Sequence, residues 1–292
     1  MIDEYTEVRG IKLHYHEYPA EGDTIILLHF GFSSLAMWNG IVPYLKDRYR
    51  LILLDYRGHG LSDKPKADYN LDIMGDDIVL FMQKKNIEKA HFVGSSLGAE
   101  LSVNIAARYP DKVLSVVVEG SAMNNVYDPY GLNNPTDEEK EKEEKQTLER
   151  IRSSQVFYNS PEELLEKLKE RYEPRGFWNQ YVQTMAEYEI YETPDGKYTG
   201  TVPLWVSESY MKNYWDIRFE DYYKNIKAPV LFLPGEENWK NKKFREALKF
   251  FQSFLSDSKI VHIKGGMHAY VWLFYPEECS KAVLEFIEGV KS

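Results

Sequence analysis

Cysteine is nearly absent. Cys279 is the only one in 292 residues, which rules out an intrachain disulfide and leaves no set of thiolates for a redox centre or a zinc-thiolate cluster. Within the apolar periodicity of Pro276 to Ile287 it is expected to pack as a small apolar residue on a terminal helix. Positive charge is also in deficit: 36 Lys and Arg stand against 46 Asp and Glu, a net charge of -10. Nucleic acid and anionic membranes both require basic patches, so neither is expected as a partner. No apolar run reaches the ~20 residues of a membrane span, and Met1 to Glu7 has neither a basic n-region nor an apolar h-region. The expectation is a cytoplasmic chain that acts on a small molecule. Internal repeats and low-complexity linkers are absent as well.

What is present is an ordinary globular composition, 43% hydrophobic and 28% charged, long enough for one large α/β domain or two small ones. Thr6 to Tyr18 alternates around Arg9-Gly10 and reads as a hairpin. Short apolar runs follow at Ile25 to Leu28, Leu51 to Leu54, His91 to Val93, Val113 to Val118, Val230 to Leu233 and Ile260 to Ile263. Their lack of polar alternation suits strands covered on both faces. Helical patterns at Asn39 to Arg48, Leu71 to Lys85, Leu97 to Tyr109, Asn241 to Leu255 and Pro276 to Val290 separate them. This rhythm predicts an α/β fold, a doubly wound and mostly parallel sheet with its active groups at the carboxyl ends of the strands. Between about Asn124 and Lys227 the rhythm breaks, and aromatic residues such as Trp178, Trp205, Tyr210 and Trp215 are scattered through helical patterns. Residues 1–123 and 228–292 are therefore assigned to the core and 124–227 to an inserted helical cap. The charged run from Thr136 to Arg150 reads as a solvated helix with Glu-to-Lys pairs, entered at Pro135-Thr136.

The chemistry starts at Gly94-Ser95-Ser96-Leu97-Gly98, a G-x-S-x-G turn between an apolar strand and a helix. The turn crowds the backbone at Ser96, so the positions two before and two after it must be small. Ser96 is the candidate nucleophile. A serine hydroxyl needs a base, and among the seven histidines His268 is singled out. It lies in Gly265-Gly266-Met267-His268, after the last strand and before the final helix, where a loop can reach the strand ends. For the acid that orients the imidazole there are two places. Glu119 ends the apolar strand Val116-Val117-Val118, where a buried carboxylate needs a partner. Glu236, Glu237 and Asn238 follow Gly235, with the uncharged Asn238 at the position where an acid is commonly carried. Glu119 is preferred. Backbone donors for an oxyanion are expected from Leu97, the residue after the nucleophile, and from Gly31 or Phe30 in the loop after an early strand.

Three motifs together resemble the α/β-hydrolase superfamily, in its branch with a helical cap: the His29-Phe30-Gly31 loop, Asp55-Tyr56-Arg57-Gly58-His59-Gly60-Leu61-Ser62, and the Gly94 to Gly98 elbow. The chain departs from the family at Phe30, where a glycine is usual, and at Asn238. Some members carry their acid at the end of the strand before the cap, which matches Glu119. The resemblance implies a hydrolase that needs no cofactor and no metal, with Asp55, Arg57 and His59 tying down a loop. Serine at position 96 disfavours haloalkane dehalogenase and epoxide hydrolase activity, both of which use aspartate there. Esterase, lactonase, thioesterase, carbon-carbon bond hydrolase and cofactor-free haloperoxidase activities share these residues, as would a ligand receptor with a vestigial site.

Overall fold

Alternate residues of the central strands feed two different hydrophobic clusters, which is why those strands show no polar alternation. In a computed structural model, residues 1–120 and 136–290 are described. Strands β1 (Ile2–Val8) and β2 (Ile11–Tyr18) form an antiparallel hairpin. They are followed by β3 (Thr24–Leu28), β4 (Arg50–Leu54), β5 (Ala90–Ser95) and β6 (Val113–Glu119). Helices α1 (Val42–Leu45), α2 (Leu71–Lys84) and α3 (Leu97–Arg108) fall between these strands. Ile26, Leu28, Ile52 and Leu54 pack on the side of α2 and α3. Ile25, Leu27, Leu51 and Leu53 point the other way, against Trp38, Trp272 and the final helix. Successive strand residues project to opposite faces, so a sheet covered on both sides must be apolar at every position.

After β6 the described chain resumes in an insertion of helices α4 (Asp137–Ser154), α5 (Pro161–Tyr172) and α6 (Gln180–Tyr188). A small hairpin, β7 (Ile190–Glu192) with β8 (Tyr198–Gly200), comes next, then α7 (Leu204–Tyr214) and α8 (Phe219–Tyr223). The core is completed by β9 (Val230–Phe232), α9 (Glu236–Lys240), α10 (Lys242–Gln252), β10 (Ser258–Ile260), α11 (Val271–Phe274) and α12 (Pro276–Val290). The sheet order is β1-β2-β4-β3-β5-β6-β9-β10. From β4 to β10 every neighbouring pair is parallel, and only the β1 and β2 pairings are antiparallel. The fold is the expected mostly parallel α/β sheet. The core–insertion boundary expected at 123/124 lies outside the described residues.

Four sequence expectations need correction. β1 begins at Ile2 rather than Thr6. The Asn39 to Arg48 helix is instead a 3-10 helix over Leu35–Gly40 followed by the single turn α1. β10 ends at Ile260, where a strand over Ile260 to Ile263 was expected, and beyond it Ile263 makes only an isolated bridge to Gly235. The insertion also carries the β7–β8 hairpin, which its helical patterns hid. Two further expectations hold. α4 is a solvated helix with no buried residue, entered by a capping box between Thr136 and Glu139. Cys279 is fully buried on α12. None of the described helices is long and apolar enough to cross a membrane.

The insertion docks on the carboxyl-end loops through specific contacts. Tyr188 Oη donates to Asp55 Oδ2 at 2.7 Å, Asn179 Nδ2 donates to the Leu273 carbonyl at 2.8 Å, and Tyr210 Oη donates to the buried Glu100 carboxylate of α3.

Candidate active site

The elbow has the steric form its spacing requires. Ser96 sits at φ 50° and ψ -116° immediately before α3, a region that costs a non-glycine residue of order 1–3 kcal/mol. A Cβ on Gly94 would lie 2.3 Å from the Gly98 carbonyl oxygen, and one on Gly98 would lie 2.0 Å from the Leu28 carbonyl oxygen. Both contacts are with backbone, so neither can be relieved by a side-chain rotation. The Ser96 amide donates to the Glu119 carbonyl at 2.9 Å, which ties the bend to the end of β6. Ser96 itself remains partly open to solvent.

Glu119 is fully buried and both of its carboxylate oxygens are engaged. Ser95 Oγ donates to Oε2 at 2.6 Å, and His268 Nδ1 lies 2.9 Å from Oε1. Ser95 and Glu119 stand directly opposite each other in the parallel β5–β6 ladder. The imidazole lies against Gly120: a Cβ on that residue, whose φ is +85°, would fall 2.0 Å from His268 Cε1. Ser96, through its amide, and His268, through Nδ1, are thus both joined to Glu119 at the ends of β5 and β6. Burial pulls the His268 pKa down, but the charge and hydrogen bond of Glu119 outweigh it and hold the pKa above the ordinary histidine value.

None of the other acid candidates is hydrogen-bonded to His268, although the charge of Glu237 adds to the influences that raise its pKa. Glu236 pairs with His262 at 2.8 Å and with Lys240 at 3.2 Å. Glu237 is exposed and Asn238 half-exposed on α9.

On the oxyanion side, Leu97 opens α3, where helix amides have no intrahelical acceptor. A Cβ on Gly31 would lie 3.5 Å from the Leu97 Cβ, so the loop after β3 is pressed against that helix start. His29 Nδ1 donates to the Phe30 carbonyl at 2.7 Å. Burial lowers the His29 pKa to about 4, so the ring is neutral and serves as a loop brace. His59 is likewise lowered by burial, to about 3, and bonds the Arg57 carbonyl at 3.0 Å. Arg57 pairs with buried Asp77. Asp55 accepts from the Leu35 amide at 2.7 Å and the Leu61 amide at 3.0 Å. These residues hold loops in place.

Two groups near the site escaped sequence reasoning. Ser95 could have been found as the hydroxyl that closes the buried strand β5, on the same sheet face as the carboxylate paired with it on β6. Glu189 carried no such signal. It follows α6 in the insertion and accepts from Ser33 Oγ at 2.7 Å and Ser34 Oγ at 2.9 Å, joining the insertion to the loop after β3. Burial raises its pKa to about 7 against the opposing effect of the serine hydrogen bonds. Of the cap aromatics, Trp205 is 41% exposed beneath the Lys66 ammonium, 5.5 Å from its ring centroid. Trp215 is buried beside Tyr214. A cavity of about 310 Å³ between the insertion and the loop after β3 has a mixed lining, with Phe32, Ile151, Leu164, Leu168 and Val202 beside Arg171 and Glu189.

A parallel sheet with a strained serine bend at one strand end and a histidine–carboxylate pair at the next defines the architecture of an α/β hydrolase. The chain belongs to that family: residues 23–274 match the family model described as "alpha/beta hydrolase fold". It is 29% identical over 295 residues to the 2-(acetamidomethylene)succinate hydrolase of Mesorhizobium japonicum, an alignment covering 99% of this chain and 96% of that one. The crystal structure of E-2-(acetamidomethylene)succinate hydrolase superposes with a TM-score of 0.78 at 25% identity, covering 98% of this chain and 99% of that one. A shorter match, 32% identical over 115 residues, links 39% of this chain to 43% of the 3-oxoadipate enol-lactonase 2 of Acinetobacter baylyi.

Two predictions follow from this geometry. Gly98→Ala should cost at least ~2–3 kcal/mol of stability, read from the urea midpoint, because its Cβ meets the Leu28 and His29 carbonyls; an unchanged midpoint would mean the close approach is not a constraint. The second concerns Glu189. Because its folded pKa is raised from 4.5 to about 7, the folded state binds the extra proton in that window, and stability falls as pH rises through it. Glu189→Gln should remove on the order of 2 kcal/mol of that decline between pH 5 and pH 8, measured as the difference between the two proteins' denaturation midpoints.

Proposed function

We propose that this hydrolase cleaves carboxylic esters or related acyl bonds of small to medium apolar or aromatic substrates through an acyl-enzyme on Ser96. The observation that carries the reading is the 2.9 Å bond between His268 Nδ1 and the buried Glu119, made beside the strained bend that presents Ser96. With Nδ1 donating to Glu119, the lone pair of Nε2 is available to take the Ser96 proton as Oγ attacks the acyl carbon. The Leu97 amide, with an amide from the Phe30-Gly31 loop, stabilises the tetrahedral oxyanion. The imidazolium then protonates the leaving group, and its charge is stabilised by Glu119. Water, deprotonated by the same imidazole, releases the acid and restores Ser96. No step calls for a metal or an organic cofactor. The insertion acts as the cap. The cavity it forms with the loop after β3 is lined by Phe32 of that loop and by Glu189, but not by Ser96, Glu119 or His268, so the preference for apolar or aromatic groups rests on the aromatic residues of the insertion.

One observation favours a second reading of the substrate within the same chemistry. Arg171 lines the cavity, and the relative that matches nearly end to end is named for hydrolysing 2-(acetamidomethylene)succinate. A substrate bearing a carboxylate would set its charge against that guanidinium. In a panel of neutral esters, lactones and carboxylate-bearing acyl compounds, Arg171→Gln should raise KM about tenfold or more for the charged members alone if this second reading holds. An equal effect on all members would remove it.

For the catalytic assignment, a fluorophosphonate probe should label Ser96, located by peptide mass spectrometry. Ser96→Ala should lower kcat by on the order of 10⁴-fold or more. Glu119→Gln should lower turnover by ~10²–10⁴-fold and move the acidic limb of the rate profile to lower pH, because the influence that raises the His268 pKa is lost. Asn238→Ala should leave turnover near the parent value. A folded protein that resists the probe, or the opposite ranking of Glu119 and Asn238, would overturn the scheme.

A further inference from the structure

Asp3, His14 and His16 stand apart from the acyl site, on the β1–β2 hairpin. Asp3 lies directly across the ladder from His16, and His14 is two residues along the same face of β2. Their side chains converge: His14 Nε2 is 2.7 Å from Asp3 Oδ1, and His16 Nε2 is 3.3 Å from Asp3 Oδ2. One ligand atom from each of the three falls within 4.8 Å of the others. We propose that Asp3, His14 and His16 form a binding site for a divalent transition metal of the zinc type, with water in the fourth position.

Two ligands each about 2.0–2.1 Å from a tetrahedral zinc stand roughly 3.3 Å apart, the separation His16 and Asp3 already have. The other pairs must adjust: the three ligand atoms now lie within 4.8 Å of one another, so a metal would open the His14–Asp3 pair and hold the two imidazole nitrogens within about 3.3 Å of each other, with Asp3, 56% exposed along its side chain, the most mobile of the three. Its exposure also provides the entry path.

The surroundings fit as well. His14 Nδ1 is 3.2 Å from Asp55 Oδ2, and Asp55 is fixed by the Leu35 and Leu61 amides. A metal-bound histidine characteristically donates its other ring N–H to such a carboxylate, which sets the tautomer and aims Nε2 at the ion. Tyr188 Oη closes the same side, 2.9 Å from His14 Nδ1 and 2.7 Å from Asp55. His16 is the strongest sign. Both of its ring nitrogens are shielded from solvent and neither makes a well-aligned hydrogen bond; Nε2 has only the 3.3 Å approach to Asp3, so the ring's lone pair is poorly satisfied. Two imidazoles and one carboxylate suit zinc, nickel or copper better than magnesium or calcium. On binding, the ion takes the place of the proton between His14 Nε2 and Asp3, and that proton leaves to solvent with no change of oxidation state.

The test uses the full-length chain stripped with a chelator and dialysed. Titration with Co²⁺ should give visible d–d bands of tetrahedral intensity that saturate at one equivalent and are displaced by Zn²⁺. Calorimetric Zn²⁺ titration should show the same stoichiometry. His16→Ala and Asp3→Asn, each checked for parent-like circular dichroism, should lose the Co²⁺ bands and weaken Zn²⁺ at least tenfold. Both variants avoid disturbing the His14–Asp55 contact on which folding could depend. An isotherm with no one-equivalent step overturns the proposal, as does Zn²⁺ binding of parent affinity in either variant, which would place the ion elsewhere, such as at His262 and Glu236.

Discussion

A carboxylate with no solvent exposure, at the end of a strand that is otherwise entirely apolar, is the constraint around which this molecule is arranged. Glu119 can occupy that position only if both oxygens are bonded, since stranding a charge there would cost more than most domains can spare. One bond comes from Ser95, directly across the ladder. The other must come from far along the chain, and the loop between β10 and α11 brings His268 to it. The burial that makes the carboxylate costly also excludes competing water. The histidine is thereby held in one tautomer and one orientation, as the proposed proton transfer from Ser96 would need.

A second buried carboxylate, Asp55, organises the surroundings. It binds amides from two separate loops, the imidazole of a hairpin strand and a phenol from the insertion. Four distant stretches of chain therefore converge on one side chain at the carboxyl end of β4. Glu189 makes a parallel link from the insertion to Ser33 and Ser34. The insertion is joined to the core by polar contacts at the carboxyl-end loops as well as by apolar packing.

The sequence was most legible where one requirement dominates. The central strands β3, β5 and β6 must be apolar on both faces, and α12 must present a continuous stripe, so their limits fell close to the expected ones. The elbow was legible because only glycine fits at 94 and 98, and Glu119 because a charge at the end of an apolar strand is conspicuous. Legibility failed where several weak preferences compete. The β7–β8 hairpin is three residues per strand in a segment rich in helix formers. The start of β1 is exposed and alternates too weakly to register. Trp205 gave no sign of facing solvent, because an aromatic residue on a helix reads the same whether it packs inward or lies under a lysine. Glu189 and the two serines it meets are more than 150 residues apart, and no local pattern encodes that meeting.

The backbone-to-backbone clearance between Gly98 and Leu28 has a mechanical consequence. A helix that grazes the carbonyls of a central strand, with no side chain between them to deform, has no soft direction in which to slide, so the front of α3 and the bend before it behave as a fixed anvil. The insertion, by contrast, is held to the core partly through long side chains, the phenol of Tyr188 and the carboxylate of Glu189 among them. Stiffness and compliance are thus divided between two pieces of one polypeptide, with Ser96 on the stiff one.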